Sequence, residues 1–409
     1  MKLPDFLSPL RQPVYRALWL TSLLCYFGTW MQSVASAWLM ASIAPSIDFV
    51  AWVQAASSLP PLLFTMVAGA LADRFDQRLM LLVAQAIVLS MAGAFAVLEQ
   101  YGAMTPWLVL ALTFALESGS ALRYPAYQTT VNRLLPRADI ARALVLSSIG
   151  WNVARAVGPG LGGLVIAAFG VKAAFALNAL LNLPVIVVIF RWRRRAASDR
   201  VESGGGNLLA QIADGFRHVG AVPVIRAAIL RCFVFTLFAS SLWSLMAVVA
   251  KHLMGGGPEL YGALLGALGV GALAGAGAID GLRRRWELRR MFGLAILCFA
   301  PGLIVLARAP SLWLTLPVLA VAGFGWMLAM STFSAVVQLG AARAFVGRAV
   351  SIHYLALFAG FAFGAWLWGH VAEWAGVEIG LYAAAAGLIL SLALYGKRSG
   401  LGLMSVASS

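Results

Sequence analysis

Runs of roughly 20 to 27 apolar residues recur from one end of the chain to the other. As helices rising about 1.5 Å per residue, each is long enough to cross about 30 Å of hydrocarbon. In lipid every backbone N–H and C=O must be satisfied within the segment, so such runs cross as helices or not at all. Of the 409 residues, 62% are hydrophobic and 11% charged, a balance that excludes a water-soluble globular domain of this length. The expected fold class is an all-α membrane protein with twelve transmembrane helices in two pseudo-symmetric six-helix bundles. The spans fall near 16–42, 49–73, 79–99, 105–132, 139–168 and 172–191, then 224–252, 260–281, 288–308, 311–338, 346–373 and 378–396.

The formal charge of +15 invites a nucleic-acid reading, but the basic residues sit in the short gaps between spans and not on one aromatic and basic face. No nucleic-acid partner is expected. With the first end inside, about 24 of the 30 basic residues fall on the cytoplasmic side, against Lys172, Lys251 and Arg308 outside. This asymmetry places both termini in the cytoplasm of a multi-pass protein of the bacterial inner membrane. Cys25, Cys232 and Cys298 lie inside apolar runs without disulfide or metal-ligand spacing, so they read as packing residues.

The chain divides into a first bundle at 1–192, a cytoplasmic linker at 193–222 and a second bundle at 223–409. Within the linker, Leu208, Leu209, Ile212, Phe216 and Val219 recur at helical spacing opposite Gln211, Asp214 and Arg217, which predicts a helix lying in the membrane interface; a solvated linker is the alternative. Positions about 206 residues apart correspond between the halves. Arg142-Ala143 matches Arg348-Ala349, Gly158 falls on Gly364, Gly163 on Gly369, and Asp73 one residue from Asp280.

The segment from Gly69 to Arg78, at the end of the second span, resembles the signature of the major facilitator superfamily. Gly69 permits close helix approach, Asp73 can face the positive end of another helix, and Arg74 and Arg78 hold the loop inside. The resemblance implies a breakable latch between the second and eleventh spans, the latter beginning near Phe345 to Gly347. Asp76 stands where the family pattern has glycine, which puts the turn geometry in question; an ordinary charged turn is the plainer reading.

A second stretch, Asn152 to Gly163 in the fifth span, resembles the Gly-Pro motif of superfamily members that export substrates in exchange for protons. Arg155, Gly158, Pro159, Gly162 and Gly163 carry it. The glycines clear one helix face and Pro159 frees a carbonyl, so the helix can pack closely and bend. Gly262, Gly266, Gly271 and Gly275 offer a matching smooth face in the eighth span, with plain lipid-phase packing as the alternative. Taken whole, the chain resembles the branch containing the enterobactin exporter and macrolide efflux proteins.

Charged residues at lipid depth are few, and each needs a partner or a wet cavity. Glu117 and Arg123 in the fourth span, Arg155 in the fifth and Arg231 in the seventh are the candidates, with Glu117 expected to pair with Arg155 or Arg123. If Glu117 takes a proton, that pair weakens and proton entry couples to helix packing; a static ion pair is the alternative. Tyr26, Gln32, Gln54, Phe235, Trp243, Trp326, Met330, His353 and Tyr354 are candidates for a substrate path, though aromatics in lipid commonly serve packing. A lone His353 can equally be a hydrogen-bonded structural residue. No Walker-type loop, hydrolase motif or paired ligand pattern occurs, so no catalytic residue, cofactor or metal is expected.

The resulting expectation is a proton-driven secondary transporter, monomeric in the lipid bilayer, exporting an amphiphilic small molecule such as a siderophore-like compound or a drug. Uptake or lipid carriage on the same scaffold, and a non-transporting receptor or assembly protein, remain alternatives.

Overall fold

The computed structural model describes residues 5–74, 76–192, 208–309, 311–342 and 345–392, and, of these, not the side chains of 5–6, 65–74, 208–212 and 289. Its described part is helical: α1 (Pro13–Ile43), α2 (Ile47–Arg74), α3 (Gln77–Gln100), α4 (Pro106–Leu134), α5 (Arg137–Phe169), α6 (Val171–Arg191), α7 (Leu208–Ala221), α8 (Pro223–Val248), α9 (Pro258–Arg285), α10 (Leu288–Arg308), α11 (Leu312–Gly340), α12 (Val346–Ala375) and α13 (Val377–Leu390). A short 3₁₀ helix, Asp5–Arg11, precedes α1, and a π-helical turn, Val249–Leu253, extends α8. Neither was expected from the sequence.

Among the described residues nine helices are long and apolar enough to cross a membrane. α1 and α4, 31 and 29 residues long, fall outside that set, and α13 at 14 residues is shorter. Prolines sit at the first position of α1, α4, α8 and α9, where the missing N–H costs nothing. Gln12 and Thr105 cap the first two of these through their side-chain oxygens.

The helices alternate in direction. Contacts such as Arg133 with Gln77 gather one end of the bundle, here the near end, where the odd helices of the first half begin; Phe95 with Phe175 marks the far end. Packing repeats between halves. α1 lies on α5 and α6, α3 on α4 and α6, and α2 on α4, while α8 lies on α12 and α13, α10 on α11 and α13, and α9 on α11. Between the halves, α5 packs along α9 and α2 along α12, the same pairing seen from each side.

The 206-residue offset has a geometric meaning at each position. A Cβ on Gly158 would meet Trp30 Cβ of α1 at 2.8 Å, and one on Gly364 would meet Ser240 and Leu237 of α8, so both glycines seat the first helix of their own half. A Cβ on Gly163 would lie 3.1 Å from Gly262 Cα of α9, and one on Gly369 would lie 3.2 Å from Asp48 Cα of α2, so both seat the second helix of the opposite half. Gly170 and Gly376, at the same offset, turn the chain into α6 and α13 with φ of +81° and +97°, a region that L side chains rarely adopt.

The arginine pair also keeps its role. Arg142 donates to Ser8 of the 3₁₀ helix at 3.0 Å, and the Arg348 side chain packs on Gly215 of α7. Each half is thus fronted by a short segment docked on its fifth helix through the equivalent arginine. A helix forms where one was expected in the linker, as α7, and His218 on it stacks against Phe345 at 4.4 Å.

The two cores differ in chemistry. In the first half a ladder of amides joins α3, α6 and α1: Gln85 donates to Asn182 at 2.6 Å, Asn182 to Asn178 at 2.9 Å, and Asn178 to Gln32 at 3.1 Å. The second half is held by rings, with Phe235 meeting Phe299, Trp326 and Phe333, and Phe299 meeting Trp326 in turn.

Candidate functional site

The fifth helix of each half decides where the bundles meet. On α5 the glycines of the Gly-Pro motif divide their work: Gly158 and Gly162 face α1, while Gly163 and the Pro159 carbonyl face α9. A Cβ on Gly262 would come within 2.6 Å of that carbonyl, and one on Gly269 would collide with Ala156 Cα. The smooth face expected on α9 is therefore narrower than the sequence suggests. Gly262, Gly266 and Gly269 turn to α5, whereas Gly271 and Gly275 turn to Ala320, Phe324 and Met327 of α11.

At the far end two charges of the second half grip one turn of the first. The Lys251 ammonium donates to Ala41 O at 2.8 Å, a carbonyl left unpaired at the C-terminus of α1, and to the Ser42 hydroxyl at 3.0 Å. The Glu373 carboxylate accepts from Ile47 N at 2.6 Å, an unpaired donor at the N-terminus of α2. Each charge opposes the helix dipole it faces, a favourable contact of about 0.3 to 1 kcal/mol per charge. Between these grips lies a cavity of about 290 Å³ lined by Ala41, Pro45, Val50, Val248 and His252 among others. Neither residue was singled out by sequence reasoning, because nothing in the chain near Lys251 or Glu373 reveals which helix terminus it will reach.

At mid-depth the Arg155 guanidinium stands 5.9 Å from the ring centroid of Trp326 on α11, across the boundary between bundles. The expected pairing of Glu117 with Arg155 or Arg123 is not made here. Among the described residues the ion pairs are Arg142 with Asp139 at 2.9 Å and Arg217 with Asp214 at 2.7 Å, both at the near end. Glu117 and Arg123 lie six residues apart on one helix, nearly two turns and about 9 Å of rise, too far for a direct bond without a partner between them.

The substrate-path candidates are placed unevenly. Gln32 is buried and belongs to the amide ladder. Tyr26 packs edge-on to Trp151, within the first half. Trp243, Trp326 and Phe361 form a three-ring cluster with centroids 4.7 to 5.5 Å apart, on α8, α11 and α12. Arg231 and His353 are buried, and His353 sits beside Tyr354 at 5.6 Å.

Of the near-end latch, the side chains of Gly69, Asp73 and Arg74 lie outside the described residues. Arg78 donates to Ile189 O at 3.1 Å and to Phe190 O, so it caps α6 within its own half. Asp76 is the N-cap of α3, accepting from Arg78 N at 2.8 Å and Leu79 N at 3.3 Å. Its φ of −64° needs no glycine, which answers the question raised by its departure from the family pattern. Asp280 is exposed near the end of α9.

Residues 5–404 match the transmembrane secretion effector family. The chain belongs to that family of the major facilitator superfamily. Family relatives include the multidrug efflux pump Tap of Mycobacterium tuberculosis, 28% identical over 390 residues that cover 93% of this chain and 91% of Tap. The uncharacterised transporter YfiS of Bacillus subtilis is 29% identical over 230 residues, 56% of this chain and 54% of YfiS, so that match spans about half of the relative. Macrolide efflux protein A of Enterococcus faecalis is 21% identical over 181 residues, 43% of this chain and 56% of that protein. Among solved structures, the nucleoside transporter NupG superposes with a TM-score of 0.78 at 12% identity, covering 93% of this chain and 98% of NupG. A bacterial homologue of the lysosomal transporter Spinster, in an inward-facing and unoccupied conformation, gives 0.74 at 16% identity, covering 95% of this chain and 96% of that one. The likeness establishes the major facilitator fold.

Proposed function

We propose that this chain exports an amphiphilic small molecule across the bacterial inner membrane by alternating access, driven by proton entry. The observation that carries the reading is the junction between bundles. Its helix contacts run through side-chain-free faces at Gly163, Gly262 and Gly369, and its far end is fastened by Lys251 and Glu373, which hold polar helix termini and not an apolar core. A boundary of that kind can open by sliding the glycine faces and releasing the polar termini, with the apolar cluster that crosses it parting at the same time. The moving units are 1–192 and 223–409, joined by the 193–222 linker.

The excess of Lys and Arg in the near-end loops supports a cytoplasmic near end, with both termini inside. A closed far end is then a periplasmic seal, and cargo enters from the cytoplasm. Names of relatives, a multidrug pump and a macrolide efflux protein, support export over uptake. Glu117 is the proton-coupling residue in this reading, because it is the acidic residue at mid-depth of the spans and makes no ion pair among the described residues.

Purified protein in liposomes of known orientation tests the function with a labelled macrolide and an imposed pH gradient. Movement out through the periplasmic face against the proton gradient, lost in Glu117→Gln, is the expected result. Movement in the same direction as protons would indicate uptake, and no movement of any compound would leave a receptor.

A further inference from the structure

The boundary between the bundles holds a cation with no anion paired to it among the described residues. Arg155 projects from α5, and its Nη2 is buried without a hydrogen-bond acceptor. No ion pair among the described residues involves it: those of Asp139 and Asp214 lie at the near end, and Glu117 makes none. Arg155 is half-buried, and holding its Nη2 away from water without an acceptor is costly, whereas removing such a group is simple for a sequence that does not use it.

The surroundings of this donor are aromatic and apolar. Arg155 stands over Trp326, which meets Trp243 at 4.7 Å and Phe361 at 5.5 Å, both edge-on. An unmet bidentate donor therefore lies next to a three-ring surface, and the two come from opposite bundles. A guanidinium fork matches two oxygens of one acid group, while ring faces suit a planar or polycyclic body.

Resting on the transporter reading above, we propose that Arg155 and Trp326 form the head of the substrate site and that the preferred cargo is an amphiphilic anion. Its carboxylate, sulfonate or phosphate binds Arg155, and its ring system lies on Trp326, Trp243 and Phe361. A lipophilic cation of the same shape meets like charge at low dielectric and is disfavoured. Because Arg155 and Trp326 belong to different bundles, an anion that draws the guanidinium off the ring also loosens the boundary the bundles must open.

Two permanently charged probes that share one ring system test this: naphthalene-2-sulfonate and 2-naphthyltrimethylammonium. Equilibrium binding to the purified full-length chain in lipid nanodiscs is measured by calorimetry. The sulfonate should bind at least tenfold more tightly. Arg155→Gln should cost the sulfonate tenfold or more and leave the ammonium unchanged, and Arg155→Lys should keep the sign of the preference with weaker binding. Thermal melts confirm folding; if the glutamine variant does not fold, the lysine variant and the wild-type preference decide. Tighter or equal binding of the ammonium, a preference that survives in Arg155→Gln, or binding of neither probe overturns the proposal. Proton-gradient-driven movement of either probe or of a macrolide that persists alongside any of those results keeps the transporter reading, whereas movement of none of the three, anionic or cationic, removes both.

Discussion

Alanine at Gly163 should tilt the equilibrium of the whole molecule away from the closed far end. The new Cβ would sit 2.5 Å from Pro258 O and 3.1 Å from Glu259 Cα and Gly262 Cα. Ordinary contacts lie at about 3.5 to 4.0 Å, so α9 has to recede by roughly 0.5 to 1 Å. All three obstacles are backbone atoms, and no flexible side chain can yield in their place. Overpacking of this kind costs about 1 to 3 kcal/mol. The contact joins α5 to α9 across the two bundles, so the cost falls on the far-closed arrangement and not on either bundle alone. As a coupling of that size, it shifts the population about 5- to 150-fold toward far-open.

Spin labels on cysteines at Ala103 and Ser311, both exposed in far-end turns, read the change as a lengthened distance distribution after Cys25, Cys232 and Cys298 are replaced. Gly158→Ala is the control, because its methyl meets Trp30 Cβ at 2.8 Å inside one bundle. It should lower the melting midpoint and leave the distances alone. If Gly163→Ala left the distribution unchanged, or Gly158→Ala moved it as much, the assignment of the α5–α9 contact as a moving boundary would fail.

Glu373→Gln and Lys251→Met each remove a charge from a helix terminus, about 1 kcal/mol, and should raise labelling of a cysteine at Ala41 by an impermeant maleimide several-fold. An unchanged labelling rate would show that the grips do not seal the far end. Asp76→Ala deletes the cap of α3 and should cost about 1 kcal/mol in thermal or denaturant stability, with Asp76→Gly milder. Asn182→Ala removes the 2.6 Å acceptor of Gln85 and leaves it only the residue-182 carbonyl at 3.4 Å, so a loss of about 1 to 3 kcal/mol is expected in the same melts, with no change in far-end distances.

Much of the architecture was legible because hydrocarbon imposes a simple rule on length and polarity. The helix boundaries expected from apolar runs fall within a few residues of those observed for most spans, and α7 was visible from its one-sided spacing. The repeat was legible as well: Gly158 with Gly364 and Gly163 with Gly369 hold matching seats. The family signature placed the superfamily, although the latch side chains at Gly69, Asp73 and Arg74 lie outside the described residues. The Glu117 pairing was misjudged because proximity along the sequence and shared depth say nothing about the rotation of α4 against α5.

The order of elements, their embedding in lipid and the two-fold repeat were determined by the sequence itself, since burial of apolar runs and the need to satisfy every backbone group admit few other outcomes. The neighbour that each face meets was decided only by the tertiary structure. Gly271 and Gly275 turn to α11 and Gly262 to α5, because glycines around one helix open more than one smooth stripe and packing chooses between them. Likewise Lys251 and Glu373 become grips, and Arg155 a donor above Trp326, through distances that close only when the two halves of the chain come together.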